Sequence, residues 1–513
     1  MSLQISIEGL PVLSGEVLSP ASAAFESLKE PEDFVRFACR LRGQFCIVID
    51  QGPRIVAITD FGCSRPVFYT RGGGWKVTTR LVDLVPSSGG HVAKDALFFY
   101  VSRGGVGIVP FHAGIQEVFP ATVAFFEGER LESIPYIDWS TFLETRPIAP
   151  AEAERRFVEV ASSYLLPIAR SRGPIASLLS SGTDSALIAW LLRQCGLDAP
   201  SLTADYRWKR YSEFDGAAES ARALGVSHQR VHMTASSRRE AFSEVNSSRQ
   251  QAPCCHSQVP VMYALAQHAQ RRGISTLVTG DHADALFLGF DRFFQGLPAD
   301  PAAYSQAVAA LDTRATLGRL YQPPQRTTAW TELLSAFGCT EDERLASEER
   351  MYSANCREMS AWIGRAPLHT LQQLIGQTWA GISWQNTFLP VSRAFDDRVE
   401  FVSPFYDIDM IRFAMSLPIE YKFRDGRTKV LLRDILQRVL GSSIVKRASP
   451  NPSRIWRLAP DVRERSLQPR FLRPLYDRLY RRNLLARGAM WHQLDRVAAL
   501  GTWLGRQPLE MVS

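Results

Sequence analysis

The segment between an apolar run, PIASLL, and a helix-like run, ALIAWLL, is filled with small and hydroxyl-bearing residues: Ser180, Ser181, Gly182, Thr183, Asp184 and Ser185. In a turn between a buried strand and a helix, successive backbone N–H groups can face inward and bind an anion such as phosphate. Asp184 indicates what accompanies the anion, because a carboxylate there is unfavourable unless a cation such as the magnesium of Mg-ATP is also bound. The alternative is that these residues only cap the helix.

The elements around this segment predict two domains. From about residue 150, helices and strands alternate as follows: helix 151–171, strand 174–180, helix 186–196, strand 201–206, helix 213–225, strand 228–233, helix 259–273 and strand 275–280. This order is typical of a doubly wound parallel sheet, which binds ligands at the carboxyl ends of its strands. Residues 1–145 instead contain short β segments split by Gly, Pro or Asp, which predict a layered β-sheet domain. Residues 150–513 form the second domain, which is mostly helical beyond residue 300.

Composition narrows the class of protein. The chain has 513 residues and a formal charge of +7, which suits an anionic ligand. It contains no zinc-finger or other nucleic-acid-binding motif and no apolar stretch long enough for a membrane span, so neither nucleic acid nor a membrane is an expected partner. Without a signal-peptide pattern at the N-terminus, the expected location is the cytoplasm, where its eight cysteines would stay reduced.

The polar loop closely resembles the SGGxDS loop of the ATP pyrophosphatases, with Ser181 in place of the first Gly. In that superfamily the loop holds pyrophosphate while the α-phosphorus of ATP is attacked. The resemblance therefore implies cleavage of ATP to AMP and pyrophosphate, with an acyl-adenylate as the product. Besides the loop, Leu202 on the next predicted strand and Gly280 at the end of a later one are expected ATP-binding residues.

A second segment, LVTGDHADALFLGFDRF, resembles the SGxGADExFxGYxRF segment of the asparagine synthetase and β-lactam synthetase family. Asp284 falls on the family's second magnesium ligand, and carboxylates from two strand ends, Asp184 and Asp284, are a reasonable clamp for a metal bound to phosphate. Asp281 occupies the position of a catalytic Glu or Tyr and is a candidate base or orienting group. Ala285 replaces the family's Glu after the metal ligand, which indicates some departure from asparagine synthetase chemistry.

Two later stretches extend the resemblance. In GRTKVLLRDIL, Lys429 and Arg433 match the family's KxxLR pattern, and a lysine near the phosphates can neutralise charge on the leaving pyrophosphate. The alternative for Lys429 is a solvated lysine on a helix. Lys446 lies where the family carries a lysine that stabilises the tetrahedral intermediate of amide formation, and its neighbour Arg447 is the second choice.

The N-terminal part resembles the family's amino-terminal nucleophile hydrolase fold over residues 34–70. Glutaminases of this type use a cysteine at the processed N-terminus, whereas Ser2 follows Met1 here, and the glutamine-binding motif is missing. This domain is therefore expected to be an inactive glutaminase, so that the amine comes from another source.

These features together resemble the lasso-peptide cyclases. In those enzymes an Asp or Glu side chain of a leader-processed precursor peptide is adenylated, and the peptide's N-terminal amine closes an isopeptide ring. The resemblance implies ATP and Mg2+ as cofactors, the precursor peptide as substrate, and a leader peptidase or leader-binding protein as partner. Three alternatives stay open: a β-lactam-synthetase-like enzyme, an ammonia-dependent asparagine synthetase, and a catalytically silent scaffold that binds ATP or peptide.

Overall fold

The structure, a computed structural model, describes residues 4–85, 91–93, 112, 114–142, 144–206, 212–247, 254, 256, 258–289, 373, 381, 383–441 and 510–512. Ser2, Lys446 and Arg447 lie outside the described residues, so their predicted roles stay predictions.

An antiparallel sheet dominates the N-terminal part. The strands here are β1 (Gln4–Gly9), β2 (Val12–Leu13), β3 (Glu16–Val17), β4 (Phe45–Asp50), β5 (Arg54–Thr59), β6 (Phe68–Arg71), β7 (Trp75–Thr78), β8 (His91–Ala93), β9 (Gln116–Glu117), β10 (Thr122–Glu127) and β11 (Arg130–Pro135). The main sheet has the order β1-β4-β5-β10-β11, and β7-β6-β9 form a smaller one. Because β4, β5 and β10 bury both faces, apolar clusters pack above and below them, which is the layered arrangement expected from the sequence.

The helices of the described residues are α1 (Pro31–Ala38), α2 (Pro150–Arg172), α3 (Thr183–Gln194), α4 (Phe214–Leu224), α5 (Ala235–Ser247), α6 (Val259–Arg271), α7 (Ala283–Leu286), α8 (Leu389–Ala394), α9 (Ile408–Ser416) and α10 (Val430–Leu440). The later strands are β12 (Ile175–Leu178), β13 (Ser201–Tyr206), β14 (His228–Met233), β15 (Thr276–Val278), β16 (Glu400–Val402), β17 (Phe423–Arg424), β18 (Arg427–Thr428) and β19 (Glu510–Val512). None of these helices combines the length and apolar character needed to cross a membrane.

A parallel sheet of order β14-β13-β12-β15-β16 forms the centre of the second part. Its middle strands are short and fully buried, as expected for strands that are covered on both faces. Helices α2, α3, α9 and α10 contribute to the core on one face, and α5, α6 and α8 to the core on the other. The doubly wound sheet predicted from the sequence is therefore confirmed.

The strand order reverses between β12 and β15, because the chain builds outward from β12 to β14 and then returns to place β15 on the other side. In sheets of this kind the ligand crevice lies at such a switch point, outside the carboxyl ends of the strands. The two polar segments identified in the sequence follow β12 and β15, so they meet at this crevice.

Buried ion pairs connect the antiparallel sheet region to the parallel-sheet region. The Arg42 Nε donates to Asp407 at 2.9 Å, where the Asp407 side chain is fully buried. Arg65 pairs with Glu400, and Arg393 pairs with Glu8 at 2.9 Å. The division of the chain near residues 145 to 150 stays a prediction, but these contacts fix β16 and the start of α9 against the N-terminal sheet.

Candidate active site

The loop after β12 is held closed by its own serines. The backbone N–H of Ser180 donates to Ser185 Oγ at 3.0 Å, the two hydroxyl oxygens are 2.8 Å apart, and Gly182 N–H donates to Ser180 Oγ at 3.1 Å. Ser181 Oγ donates to Glu213 at 3.4 Å. Three of the four hydroxyls that the sequence offered as phosphate donors are therefore also used to shape the loop.

The residue that caps helix α3 is Gly182, which has no side chain to bond to the first turn. Thr183 begins the helix and Asp184 lies in its first turn, so Asp184 is not the helix cap. The first N–H groups of a helix have no partner within the helix, and together with the positive end of the helix dipole they form the arrangement that binds phosphate at helix N-termini.

The loop after β15 is tied to β16 and touches the first loop. Thr279 N–H donates to Val402 at 2.8 Å, and Ser403 Oγ donates to the carbonyl of Asp281 at 2.7 Å. A Cβ added at Gly280 would lie 2.8 Å from the carbonyl carbon of Asp184. Only glycine lets the two loops approach this closely, which explains its place between β15 and the acidic residues.

Lys429 lies between the acidic residues of the two loops. Its Nζ is 2.6 Å from Asp184 Oδ2 and 2.6 Å from Asp284 Oδ1, and its side chain is 9% exposed. Its backbone is in the left-handed region with φ +55° at the start of α10, and its N–H donates to Phe287 at 3.0 Å. Lys429 is therefore not the solvated helix lysine that the sequence left open, and the structure brings it together with both aspartates.

Burial and mutual repulsion determine the charge state of the acidic groups. Burial raises the pKa of Asp184, and the opposing attraction of Lys429 does not cancel this. For Asp281, burial together with repulsion from Asp284 and Asp184 raises the pKa to about 7. Burial alone would lower the pKa of Lys429, but the two carboxylates outweigh it, so its pKa is raised and the amine stays protonated.

The two aspartates fit a magnesium ion. Carboxylate oxygens are the hard ligands that magnesium prefers, and Asp184 Oδ1 is buried with no hydrogen-bond partner within the described part of the chain. Within that part no group of three or more His, Cys, Asp and Glu side chains could hold a metal by itself. Two carboxylates, completed by phosphate oxygens and water, match the way magnesium is usually bound with nucleotides.

The remaining predicted residues are placed as follows. Arg433 lies one turn after Lys429 on α10, and its charge acts to lower the pKa of Asp184, so it is near the site. Leu202 on β13 is fully buried in the core beneath the loop, and its carbonyl accepts a hydrogen bond from Leu179 at 2.9 Å. The structure does not bring the Leu202 side chain into the crevice.

A buried lysine supports the site and was not identified from the sequence. Lys422 Nζ donates to Gln373 at 3.2 Å and to the carbonyl of Met415 at 3.1 Å, and Gln373 donates to the carbonyl of Leu286 at 2.6 Å. This chain of bonds connects the turn before β17 to α7, the helix that carries Asp284. The sequence offers one signal for this residue: Lys422 lies in an apolar segment, LPIEYKF, shortly before the KxxLR pattern. That position alone does not distinguish a buried lysine from an exposed one.

The doubly wound sheet and the polar loops that meet at its switch point define an α/β protein whose ligand crevice lies at the carboxyl ends of the strands. The family model of asparagine synthase matches residues 168–504, more than half of the chain. The chain therefore belongs to the asparagine synthase family and is an ATP-dependent amide ligase.

Individual relatives are distant. The putative glutamine-hydrolyzing asparagine synthetase of Mycobacterium tuberculosis is 24% identical over 465 residues, which cover 83% of this chain and 69% of the relative. Amidase chyE of Penicillium rubens is 27% identical over 52% of this chain and 42% of its own. Among solved structures, NMN synthetase from Francisella tularensis is 15% identical with a TM-score of 0.22, covering 49% of this chain and 97% of its own, a likeness too weak to add to the fold assignment.

Proposed function

We propose that this ligase cleaves ATP to AMP and pyrophosphate in order to activate a carboxylate, and that the amide it then forms closes a macrolactam ring in a leader-processed peptide. The observation that carries the first half is the contact of Lys429 with Asp184 and Asp284 at the switch point of the sheet, 2.6 Å from each. Two acids and a cation beside a phosphate-type loop are what a triphosphate with its metal requires.

In the first step, a carboxylate oxygen of the substrate attacks the α-phosphorus. The bond from that phosphorus to the oxygen bridging it to the β-phosphorus breaks, and pyrophosphate leaves with the bonding electrons. Backbone N–H groups at the start of α3 hold the leaving group, and Lys429 balances the charge that develops on it. Magnesium, held by Asp184 and Asp284, would supply further neutralisation of the phosphate charge.

In the second step, an amine attacks the activated carbonyl carbon, and AMP leaves. The attacking nitrogen must lose a proton, and Asp281, whose pKa of about 7 suits a base at neutral pH, is the group we assign to it. Lys446 remains the proposed cation for the tetrahedral intermediate, on the strength of its sequence position.

The cysteines in the N-terminal sheet region support an amine source other than glutamine. Cys46 and Cys63 are fully buried, and burial raises the pKa of each thiol well above its ordinary value. Burial also raises the pKa of the more exposed Cys39. All three cysteines lie inside the chain and have no free α-amine to serve as the base, so they cannot act as the N-terminal nucleophile of a glutaminase of this type. A peptide amine, supplied after a leader peptidase in the cytoplasm has acted, is the source we propose.

The deciding experiment incubates the enzyme, ATP and magnesium with a candidate precursor peptide whose leader has been removed. Loss of one water from the peptide, matched by one AMP per ring, supports the proposal. The reaction should stop in Asp184→Ala, and continued turnover in that variant would refute the assignment of the aspartates.

A second candidate is amide formation on aspartate, which the asparagine synthetase relatives favour because one of them aligns with 83% of the chain. It predicts asparagine and AMP from aspartate, ATP and ammonium, with no change in any peptide. AMP formed only with a small β-amino acid would instead indicate a β-lactam-synthetase-like reaction. If no AMP forms with any of the three substrates (the peptide, aspartate with ammonium, or the β-amino acid), a catalytically silent scaffold is favoured.

A further inference from the structure

The ammonium of Lys429 stands where the two proposed metal ligands converge. It is 2.6 Å from one oxygen of Asp184 and 2.6 Å from one oxygen of Asp284. A magnesium ion binds carboxylate oxygens at about 2.0–2.1 Å. An ion bound to the same two oxygens would either overlap the ammonium or lie against it as a like charge. The lysine and a metal therefore compete for Asp184 Oδ2 and Asp284 Oδ1, whereas Asp184 Oδ1 has no partner in the described part of the chain.

The backbone of Lys429 cannot easily retreat to make room. Its amide donates to Phe287 at 3.0 Å, its carbonyl accepts from Arg433 at 2.9 Å in the first turn of α10, and its φ of +55° is a conformation that non-glycine residues rarely adopt. The side chain runs over Gly289, where an added Cβ would collide with Lys429 Cε and with Asp284 Oδ1. Any exchange of lysine for metal must therefore be a movement of the side chain alone.

We propose that Lys429 acts as an internal counter-ion that keeps divalent cations out of the site until ATP binds, so that the metal enters with the nucleotide. The phosphates of ATP provide the ammonium with an alternative set of anionic partners, and its departure frees both aspartates. This inference rests on the proposed ATP site and adds a binding order to it. Lys429 then has two successive partners, the carboxylates before binding and the phosphates after it.

The proposal predicts that removing the lysine improves the binding of a metal on its own. Two groups that influence each other's binding to one protein commonly change the affinity by about 5- to 150-fold, and we expect an effect of this order when the lysine is removed, so Lys429→Met should bind Mn2+ at least about tenfold more tightly than the wild type without nucleotide. Arg433→Met is the matched control, since it also removes a positive charge near Asp184 but not one that bridges the two aspartates. Its effect should be clearly smaller.

Free Mn2+ can be measured by electron paramagnetic resonance in titrations of wild type, Lys429→Met, Lys429→Gln, Arg433→Met and Asp184→Asn, the last alone and combined with Lys429→Met, with and without a non-hydrolysable α,β-methylene ATP. Because the analogue binds Mn2+ by itself, a titration of the analogue without protein is the reference, and only additional bound Mn2+ counts as binding to the site. The expected result is weak binding to the wild type without the analogue, stronger binding with it, and a gain in both lysine variants that Asp184→Asn abolishes. Circular dichroism confirms that each variant is folded, and the comparison of the wild type with and without the analogue holds even if a variant is not.

Two results would overturn the counter-ion role while leaving the ATP site intact: wild-type binding of Mn2+ that is equally tight without the analogue, or unchanged binding in the lysine variants. A different result would refute the proposed metal and ATP site itself. If the wild type binds no Mn2+ even with the analogue, and Asp184→Asn changes nothing, the aspartates do not hold a metal.

Discussion

Replacing Gly280 with alanine tests whether the contact between the two loops builds the nucleotide site. The new Cβ would lie 2.8 Å from both the carbonyl carbon and the carbonyl oxygen of Asp184, whereas ordinary contact begins at 3.4 Å, so the loops must separate by about 0.6 Å. Gly280 does not have a positive φ, so the backbone itself accepts alanine and the effect is steric. Overpacking of this kind costs about 1–3 kcal/mol.

If that strain is relieved by moving Asp184 out of line, the loss should be visible in nucleotide binding. At about 1.4 kcal/mol for each tenfold change, the dissociation constant for ATP with magnesium should rise roughly 5- to 150-fold. Isothermal titration calorimetry measures it directly. Gly72→Ala is the control, because a Cβ there meets nothing within 4 Å. A folded Gly280→Ala protein that binds ATP within twofold of the wild type would refute the role assigned to this contact.

Three further predictions concern ionisable groups. Because the pKa of Asp281 is about 7 and the base must be deprotonated, kcat/KM should rise with pH through about 7, and Asp281→Asn should lose that rise; an unchanged profile would contradict its role as the base. Burial lowers the pKa of Lys422 to about 7, so between that pH and about 10 the unfolded chain binds more protons and stability should rise with pH by up to about 4 kcal/mol. Thermal melts across this range should show the rise in the wild type and not in Lys422→Met, and equal curves would contradict it. Arg42→Met should lower the free energy of unfolding by about 3–5 kcal/mol, since it leaves the buried Asp407 carboxylate without its cation. The double variant Arg42→Met with Asp407→Asn should lose less stability than Arg42→Met alone. If the losses of the two single variants simply add in the double variant, the two residues do not stabilise each other.

The sequence was most informative where a local signal repeats. Strands β12 to β15 were predictable because short strand-like segments alternate with helical runs, and the positions of Asp184 and Asp284 followed from the rule that parallel strands point their carboxyl ends at one edge. The sequence alone was therefore enough to predict that the loops after β12 and β15 lie side by side. The placement of Lys429 against both aspartates was not predictable, because its segment lies far along the chain and only the family resemblance connected it to phosphate.

The elements that were missed lack such a signal. β11 contains charged side chains, and its exposed and partly buried residues do not alternate strictly. β16 has only three residues, too few for a period to be visible. The partners of Lys422 and the ion pairs of Arg42 and Arg65 depend on long-range packing, and a buried charge is indistinguishable from a solvated one in the sequence alone. The role of Ser180 and Ser185 in closing the loop was also hidden, because their hydroxyls serve equally well as phosphate donors on paper.

Transfer of oxygen from the substrate carboxylate to AMP tests most directly that this site activates a carboxylate. A leader-processed peptide with heavy oxygen in its side-chain carboxylates, or equally labelled aspartate with ammonium, is incubated with the enzyme, ATP and magnesium, and the AMP is analysed by mass spectrometry. Attack of the carboxylate on the α-phosphorus predicts AMP that carries one heavy oxygen, absent in Asp184→Ala. Formation of ADP and phosphate, or of amide with unlabelled AMP, would contradict it.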